Sequence, residues 1–192
     1  MKKILIGNGG HAKEVMAQMG VKLEMFVDDE YVDTETQPLS KLNPKEHIAM
    51  IAIGDSKHRH NVFQRLPEGL QFFTFVHPTA LILESIEIGE GSFIGAYSVL
   101  TTNIKIGSHT ILNRGVQMGH DSKVGSFFSA MPGSIVSGNV VIGERTYMGT
   151  NSSIKEKIHI CSDVTIGSNA TVVKNIINAG TYVGVPAKLI KK

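Results

Sequence analysis

Two rhythms of apolar residues divide this chain. Over residues 1–76, short apolar runs alternate with stretches of helical spacing. KKILIG reads as a buried strand and HAKEVMAQM as a helix. LEMFVDD is a second strand. HIAMIAIG is a third, a continuous apolar run of the kind buried on both faces of a parallel sheet. SKHRHNVFQRL reads as a second helix with Ser56 as its N-cap, and FFTFV as a fourth strand. Strand–helix alternation predicts a small α/β unit around a parallel sheet. From about residue 80 the rhythm changes. Every sixth residue from Ile82 to Val172 is apolar, and the next residue is glycine at 89, 95, 107, 119, 125, 143, 149 and 167.

A period of six fits neither a helix nor a simple strand. It predicts a β-helix over residues 77–192, in which short strands and turns repeat around a prism. The apolar residue points inward, and the glycine after it is expected at the bend with positive φ. Three hexads make one coil, so residues 18 apart should stack about 4.8 Å from each other.

Composition narrows the function classes. Lys+Arg is 19 and Asp+Glu is 17, for a formal charge of +2. That balance points to neither nucleic acid nor an anionic membrane. One cysteine, Cys161, excludes an intrachain disulfide and favours a reducing compartment. The N-terminal apolar run ends at glycines after four residues, too early for a signal peptide, and no run approaches a membrane span. The cytoplasm is the expected location. Twenty glycines, no tryptophan and 6% aromatics suit tight turns and a core of small aliphatics.

Two segments carry candidate chemistry. In VQMGHDSKVGS, His120 follows the inward Met118 by two residues, which puts it outward at a corner. Its column neighbours are Thr102 above and Gly138 below, and the glycine is expected to leave a notch where a ligand could approach. Asp121 beside it favours the protonated imidazole and can fix its tautomer. On these residues alone a general base and a solvated turn both stand. In GNGGHA, Gly7, Gly9 and Ala12 satisfy a dinucleotide fingerprint with Asp28 further on. Four strands are too few for a full NAD domain, but half of such a fold can hold one nucleotide on a helix N-terminus. His58 and His60 are two apart on a helix and do not make a metal site, so no metal is expected.

The hexad region resembles the hexapeptide-repeat acyltransferases, which are left-handed parallel β-helices that assemble as trimers. VQMGHDSKVGSFFSAMPGSIVSGNVVIGE, with VVKN (172–175) and YVGVPAKLI (182–190), resembles the branch of bacillosamine N-acetyltransferases and sialic acid O-acetyltransferases. The resemblance covers essentially the whole chain. It implies His120 as base, with Asp121 raising its basicity, and acetyl-CoA as donor in contact with Ser129, Thr150 and Ser168. The bacillosamine enzymes carry histidine at the position of Ser129, so the chain departs there. The resemblance also implies Asn113 near the acceptor sugar. Gly9, Gly10, His11, Asp28, Asp29 and Gly54 would hold its nucleotide, UDP in the bacillosamine enzymes. The expected protein is therefore a Rossmann-like nucleotide-binding α/β domain (1–76) followed by a left-handed β-helix (77–192). Its expected reaction is acetylation of a UDP-linked 4-amino-4,6-dideoxy sugar by a homotrimer. The rivals are a sialic acid O-acetyltransferase and a non-catalytic β-helix that binds a sugar nucleotide.

Overall fold

The computed structural model describes residues 1–190. Its N-terminal unit is a five-stranded parallel sheet built from β1 (Lys2–Ile6), β2 (Glu24–Val27), β3 (Thr36–Pro38), β4 (His47–Ile51) and β5 (Gln71–Phe72), in the order β3-β2-β1-β4-β5. Helix α1 (Gly10–Met19) follows β1, and α2 (Ser56–Phe63) follows β4. Ile4, Leu5, Ile6, Ala49, Met50 and Ile51 are fully buried, as continuous apolar runs in a covered parallel sheet should be. The short strand β3, TQP, has no apolar run and left no periodic signal in the sequence.

Two local expectations are corrected. FFTFV is not one strand. Phe72 ends β5, Phe73 turns into the core, and β6 (Phe75–Val76) pairs with Phe93–Ile94 in the next unit. Nor is Ser56 the cap of α2. Asp55 caps it, its carboxylate accepting from the His58 N–H at 2.7 Å. The Ser56 hydroxyl is buried and donates instead to the Thr146 carbonyl at 3.0 Å, across the seam between the units.

The hexad region is a left-handed parallel β-helix with three faces. The first holds Phe93–Ile94, Ile111–Leu112, Ser129–Ala130 and Tyr147–Met148. The second holds Gln117–Met118, Ile135–Val136, Ser153–Ile154 and Thr171–Val172. The third holds Lys123–Val124, Val141–Ile142 and His159–Ile160. The registers join residues 18 apart, such as Met118↔Val136 and Val136↔Ile154. The six-periodic apolar residues form one continuous core; Ile82 and Ile88, in the end coil, are only partly buried.

The glycines after the inward residues work by a different physics from the one expected. None of them has positive φ. They are glycines because the neighbouring coil passes too close: a Cβ on Gly107 would lie 2.4 Å from the Ser126 nitrogen, and one on Gly119 2.5 Å from that of Gly138. The left-handed residues come two positions later. Every sixth residue from Ser85 to Asn169 has φ between 54° and 71°, with Asn or Asp at 103, 121, 139, 151, 163 and 169. Asn and Asp tolerate this region better than other side chains. A second inward column holds small residues. Ser122 Oγ donates to the Ser137 carbonyl at 2.9 Å and Ser134 Oγ to that of Gly149 at 3.0 Å, so these buried hydroxyls tie coil to coil.

The α/β unit covers the first face, where Phe93, Ile111 and Ser129 point outward yet are buried. The third face presents Lys105 and Lys123 to solvent, and the second carries exposed Leu81 and Ile135. No helix among the described residues is long and apolar enough to cross a membrane.

The two glycine classes separate experimentally. Gly107→Ala forces a Cβ into backbone and should lower unfolding free energy by about 2–3 kcal/mol. Gly115→Ala adds a Cβ that comes no closer than 3.9 Å to its neighbour, the Gly133 nitrogen, at φ 71°, and should lose about 1 kcal/mol. Urea midpoints at fixed protein concentration measure both. Equal losses would contradict the distinction.

Candidate functional site

Two places combine polar groups with room for a ligand. The first is a cleft of about 320 Å³ at the C-terminal ends of β1 and β4, lined by Gly7, Asn8, Gly9, Gly10 and His11 on one side and by Asp28, Tyr31, Gly54 and His58 on others. Gly7 stands at φ 108°, where a Cβ would also press on Ile53 and the Ala52 carbonyl. The turn it makes delivers the chain into α1, whose N-cap is Gly9. With no capping side chain, the first-turn N–H groups are free to meet an anion.

His11 faces this cleft with its ring edge-on to Phe93, centroids 5.4 Å apart. Burial, and then the nearby Arg59 guanidinium, pull its pKa down to about 4. The imidazole is neutral at pH 7. Its Nε2 is buried without a partner, while Nδ1 lies 3.8 Å from Glu14 Oε2. Asp28 holds a two-pronged ion pair with Arg65 at 2.7 and 3.0 Å. Of the expected nucleotide-binding residues, Gly9, Gly10, His11, Asp28 and Gly54 meet here. Asp29 does not line the cleft. Its carboxylate accepts from the Ser40 N–H at 3.2 Å, and hydrogen bonding to Ser40, through its side chain first and then its N–H, holds the Asp29 pKa below the usual carboxylate range. Sequence reasoning missed Asn8, Tyr31 and His58. His58 was weighed only as a metal ligand and set aside, and only the folding of α2 over β4 brings it to the cleft.

The second place is the corner between the second and third faces. His120 Nδ1 lies 2.7 Å from Asp121 Oδ2, and Asn103 Nδ2 donates to Asp121 Oδ1 at 3.2 Å from the coil above. With Nδ1–H donating to the carboxylate, Nε2 carries the lone pair. These hydrogen bonds, His120 first, hold the Asp121 carboxyl below its ordinary pKa. Asp121 occupies the left-handed position of its turn at φ 60°, which swings its carboxylate beside the preceding imidazole. The expected open notch at Gly138 is filled by the ring itself. A Cβ there would lie 2.6 Å from His120 Nε2.

The remaining candidates lie elsewhere. Thr150 and Ser168 are exposed, one coil apart, at the corner between the first and second faces. Asn113 shares that corner but is buried. Its amide approaches Glu14 Oε2 at 3.4 Å, and Arg114 pairs with Glu14 Oε1 at 2.9 Å. Ser129 is not placed to touch a donor through its side chain. It is 0% exposed, donates to the Gly54 carbonyl at 2.8 Å and accepts from Arg59 at 2.8 Å. The α/β unit covers it, which corrects the expected contact. Among the described residues no group of three or more His, Cys, Asp or Glu is placed to hold a metal.

Comparison with known proteins agrees with this architecture. Residues 2–66 match the PglD N-terminal domain family. The GDP-perosamine N-acetyltransferase of Escherichia coli O157:H7 is 29% identical over 109 residues, 56% of this chain and 49% of the relative. The UDP-N-acetylbacillosamine N-acetyltransferase of Bacillus subtilis (strain 168) is 32% identical over 114 residues, 50% of this chain and 52% of the relative. These alignments thus span about half the length of the curated relatives. Among solved structures, PerB from Caulobacter crescentus in complex with CoA and GDP-perosamine superposes with a TM-score of 0.86 at 26% identity, covering 100% of this chain and 98% of that one. WeeI from Acinetobacter baumannii AYE gives 0.87 at 27% identity, covering 99% and 100%.

Two predictions follow from the geometry. Gly138→Ala should displace the His120 ring while leaving the β-helix folded, so its loss of activity should approach that of removing the imidazole; an unimpaired Gly138→Ala enzyme would show that the ring position is not needed. The second concerns acid. His11 and the buried His109, whose ring stacks on Phe127, both have pKa values lowered from 6.5 to about 4, mainly by burial. Below 6.5 the unfolded chain takes up protons that the folded one refuses, so stability present above that pH is lost as pH falls towards 4. Each group accounts for about 3 kcal/mol of that loss. Thermal melts of His109→Phe from pH 7 to 4.5 should fall less steeply than those of wild type.

Proposed function

We propose that this chain, a member of the hexapeptide-repeat sugar acetyltransferases, transfers an acetyl group from acetyl-CoA to the amino group of a nucleotide-linked 4-amino-4,6-dideoxy sugar. The observation that carries this reading is the His120–Asp121 pair at 2.7 Å, set over Gly138 at an outward corner with Nε2 free. The acceptor nitrogen attacks the thioester carbonyl as His120 Nε2 takes a proton from it. The tetrahedral intermediate collapses, the C–S bond breaks, and the proton passes from Nε2 to the departing CoA sulfur. Asp121 keeps the ring oriented and stabilises the imidazolium formed in between.

The nucleotide belongs in the cleft at Gly9–His11. Its diphosphate would meet the free N–H groups of α1, and His11 Nε2 supplies a polar partner inside the wall. A free sialic acid acceptor would leave that cleft without a use. We take UDP as the nucleotide, and a GDP-linked sugar is the alternative that the perosamine relatives raise.

The active unit in this reading is a homotrimer. The α/β unit covers the first face, whereas His120 stands at the corner opposite it, so one chain does not bring the cleft to the base. The second face, with Leu81, Val99 and Ile135, is suited to self-association. Packing on it would set the His120 corner of one copy against the Thr150–Ser168 corner of the next, forming a channel for the donor. We place the reaction in the cytoplasm.

The test is CoA release from acetyl-CoA with UDP- and GDP-linked 4-amino-4,6-dideoxy sugars and with sialic acid. Wild type should release CoA with one of the nucleotide sugars. His120→Ala should lose roughly 10²–10⁴-fold in kcat with nucleotide binding retained. Release with sialic acid alone would replace this reading by O-acetylation. Nucleotide binding with no release for any acceptor would replace it by a binding module.

A further inference from the structure

Helix α1 runs from the cleft to the corner between the first and second faces. Its N-terminus holds His11 in the cleft. Its C-terminal half is fastened to the corner, where Gln18 Oε1 accepts from the Ala96 N–H at 2.8 Å. Between these points stands Glu14. Its Oε2 lies 3.8 Å from His11 Nδ1 and accepts from the Asn113 amide at 3.4 Å, while its Oε1 accepts from Arg114 at 2.9 Å. The side chain is 42% exposed, and a carboxylate offers about four lone-pair positions, so acceptor capacity is left over. Partial burial works to raise its pKa, but hydrogen bonds from Arg114 and Asn113 outweigh that and hold it below its ordinary value. Glu14 is ionised at neutral pH.

The place of this carboxylate relative to the two ends of the reaction gives it a use. A diphosphate on the N-terminus of α1 puts the attached sugar beside His11. Three residues of helix advance about 4.5 Å, so a sugar lying along α1 brings a substituent on its far side to Glu14. Arg114 and His120 belong to one coil, the one that carries Leu112, Met118 and Val124, and they border the second face on opposite sides. Rotation about an axis parallel to the prism leaves every coil at its own height. In the trimer proposed above, the Glu14–Arg114 pair of one copy therefore meets the His120 corner of the next at the same level. The carboxylate of one copy and the base of the other then flank the same sugar substituent.

We infer that Glu14 selects an amino group over a hydroxyl at the acetylated position of the sugar. This inference rests on the nucleotide-sugar acetyltransferase reading above. At the moment of attack an amine has two N–H groups and a lone pair. One N–H donates to Glu14 and the other to His120 Nε2, and the lone pair is left for the thioester carbonyl. A hydroxyl has a single O–H. Given to Glu14, it leaves the base no proton to take. Charge adds to the choice before attack, because an ammonium on the sugar makes a charge-assisted hydrogen bond to the carboxylate that is stronger than a hydroxyl's. Glu14 itself takes no proton, and Arg114 and Asn113 act through it as positioning residues.

The test is calorimetric titration with UDP- and GDP-linked 4-amino-4,6-dideoxy sugars, with the matching 4-hydroxy-6-deoxy sugars, and with UDP and GDP alone. Wild type should bind the amino sugar of its preferred nucleotide about ten-fold more tightly than the hydroxy sugar. Glu14→Gln should lose that preference. Its affinity for the bare nucleotide and its melting temperature should be unchanged, since a half-exposed ion pair adds little stability. Equal affinity of wild type for the two sugars, binding of neither, or a preference that survives in Glu14→Gln overturns the inference. So does a variant that binds the bare nucleotide more weakly by the same factor, which would make Glu14 only a support for His11. Binding needs no turnover, so a preference lost in the variant supports Glu14 even if no CoA is released, and silence in CoA release counts against the transfer reading alone.

Discussion

A single buried cation fastens the two units of this protein together. Arg59, on α2, is 0% exposed and touches no carboxylate. Its Nε donates to the His109 carbonyl at 2.9 Å and one terminal nitrogen to the carbonyls of Ile53 and Gly54. The other reaches the Phe127 and Phe128 carbonyls and Ser129 Oγ, at 3.0, 3.1 and 2.8 Å. A buried charge is tolerable only if its donors are satisfied. Here backbone carbonyls from both units replace water. Burial pulls Arg59 down to about 9, so it stays charged at neutral pH. The loop it grips, Ile53–Gly54, forms a wall of the cleft, and its field helps keep His11 and His109 neutral. Placement of the α/β unit, the shape of the cleft and the protonation state of His11 thus share one origin.

The prism imposes a second constraint. Its turns require a left-handed residue every six positions, whatever the function. Asp121 fills one such position and at the same time bonds His120. The same residue type serves the turn at 103, 139, 151, 163 and 169 with no imidazole before it. What distinguishes Asp121 is its neighbours: the imidazole before it, Asn103 above and Gly138 below. A repeated structural position has been given chemistry by changing the residues around it.

The three faces divide the remaining work. The first is buried under the α/β unit, and this is why Ser129, outward by its place in the hexad, ends inside. The third is charged and solvated. The second is left with exposed aliphatics, and the two corners that border it carry His120 on one side and Thr150 with Ser168 on the other. The C-terminal hairpin, Gly180–Val183 with Lys188–Leu189, closes the prism.

The architecture is legible in the spacing of apolar residues. A strict six-residue repeat can bury its apolar residues in only one regular way, so Ile82 to Val172 were legible as a stacked core. The apolar runs around β1 and β4 likewise specified a parallel sheet, with the glycine turn at its C-terminal end. The repeat also pointed to His120 and Asp121, because it fixes which residues face outward at a corner. Contacts between distant segments set the rest. Glycine at 107 and 119 reflects the approach of the next coil, not positive φ. Ser56 bonds Thr146 instead of capping its helix. Ser129 and Asn113 are tied to Arg59 and Glu14 across the seam, and His58 reaches the cleft while Asp29 does not. Periodicity encodes the direction of a side chain relative to its own element. What that side chain meets is set by how the α/β unit docks on the prism, and a local pattern carries no record of that docking.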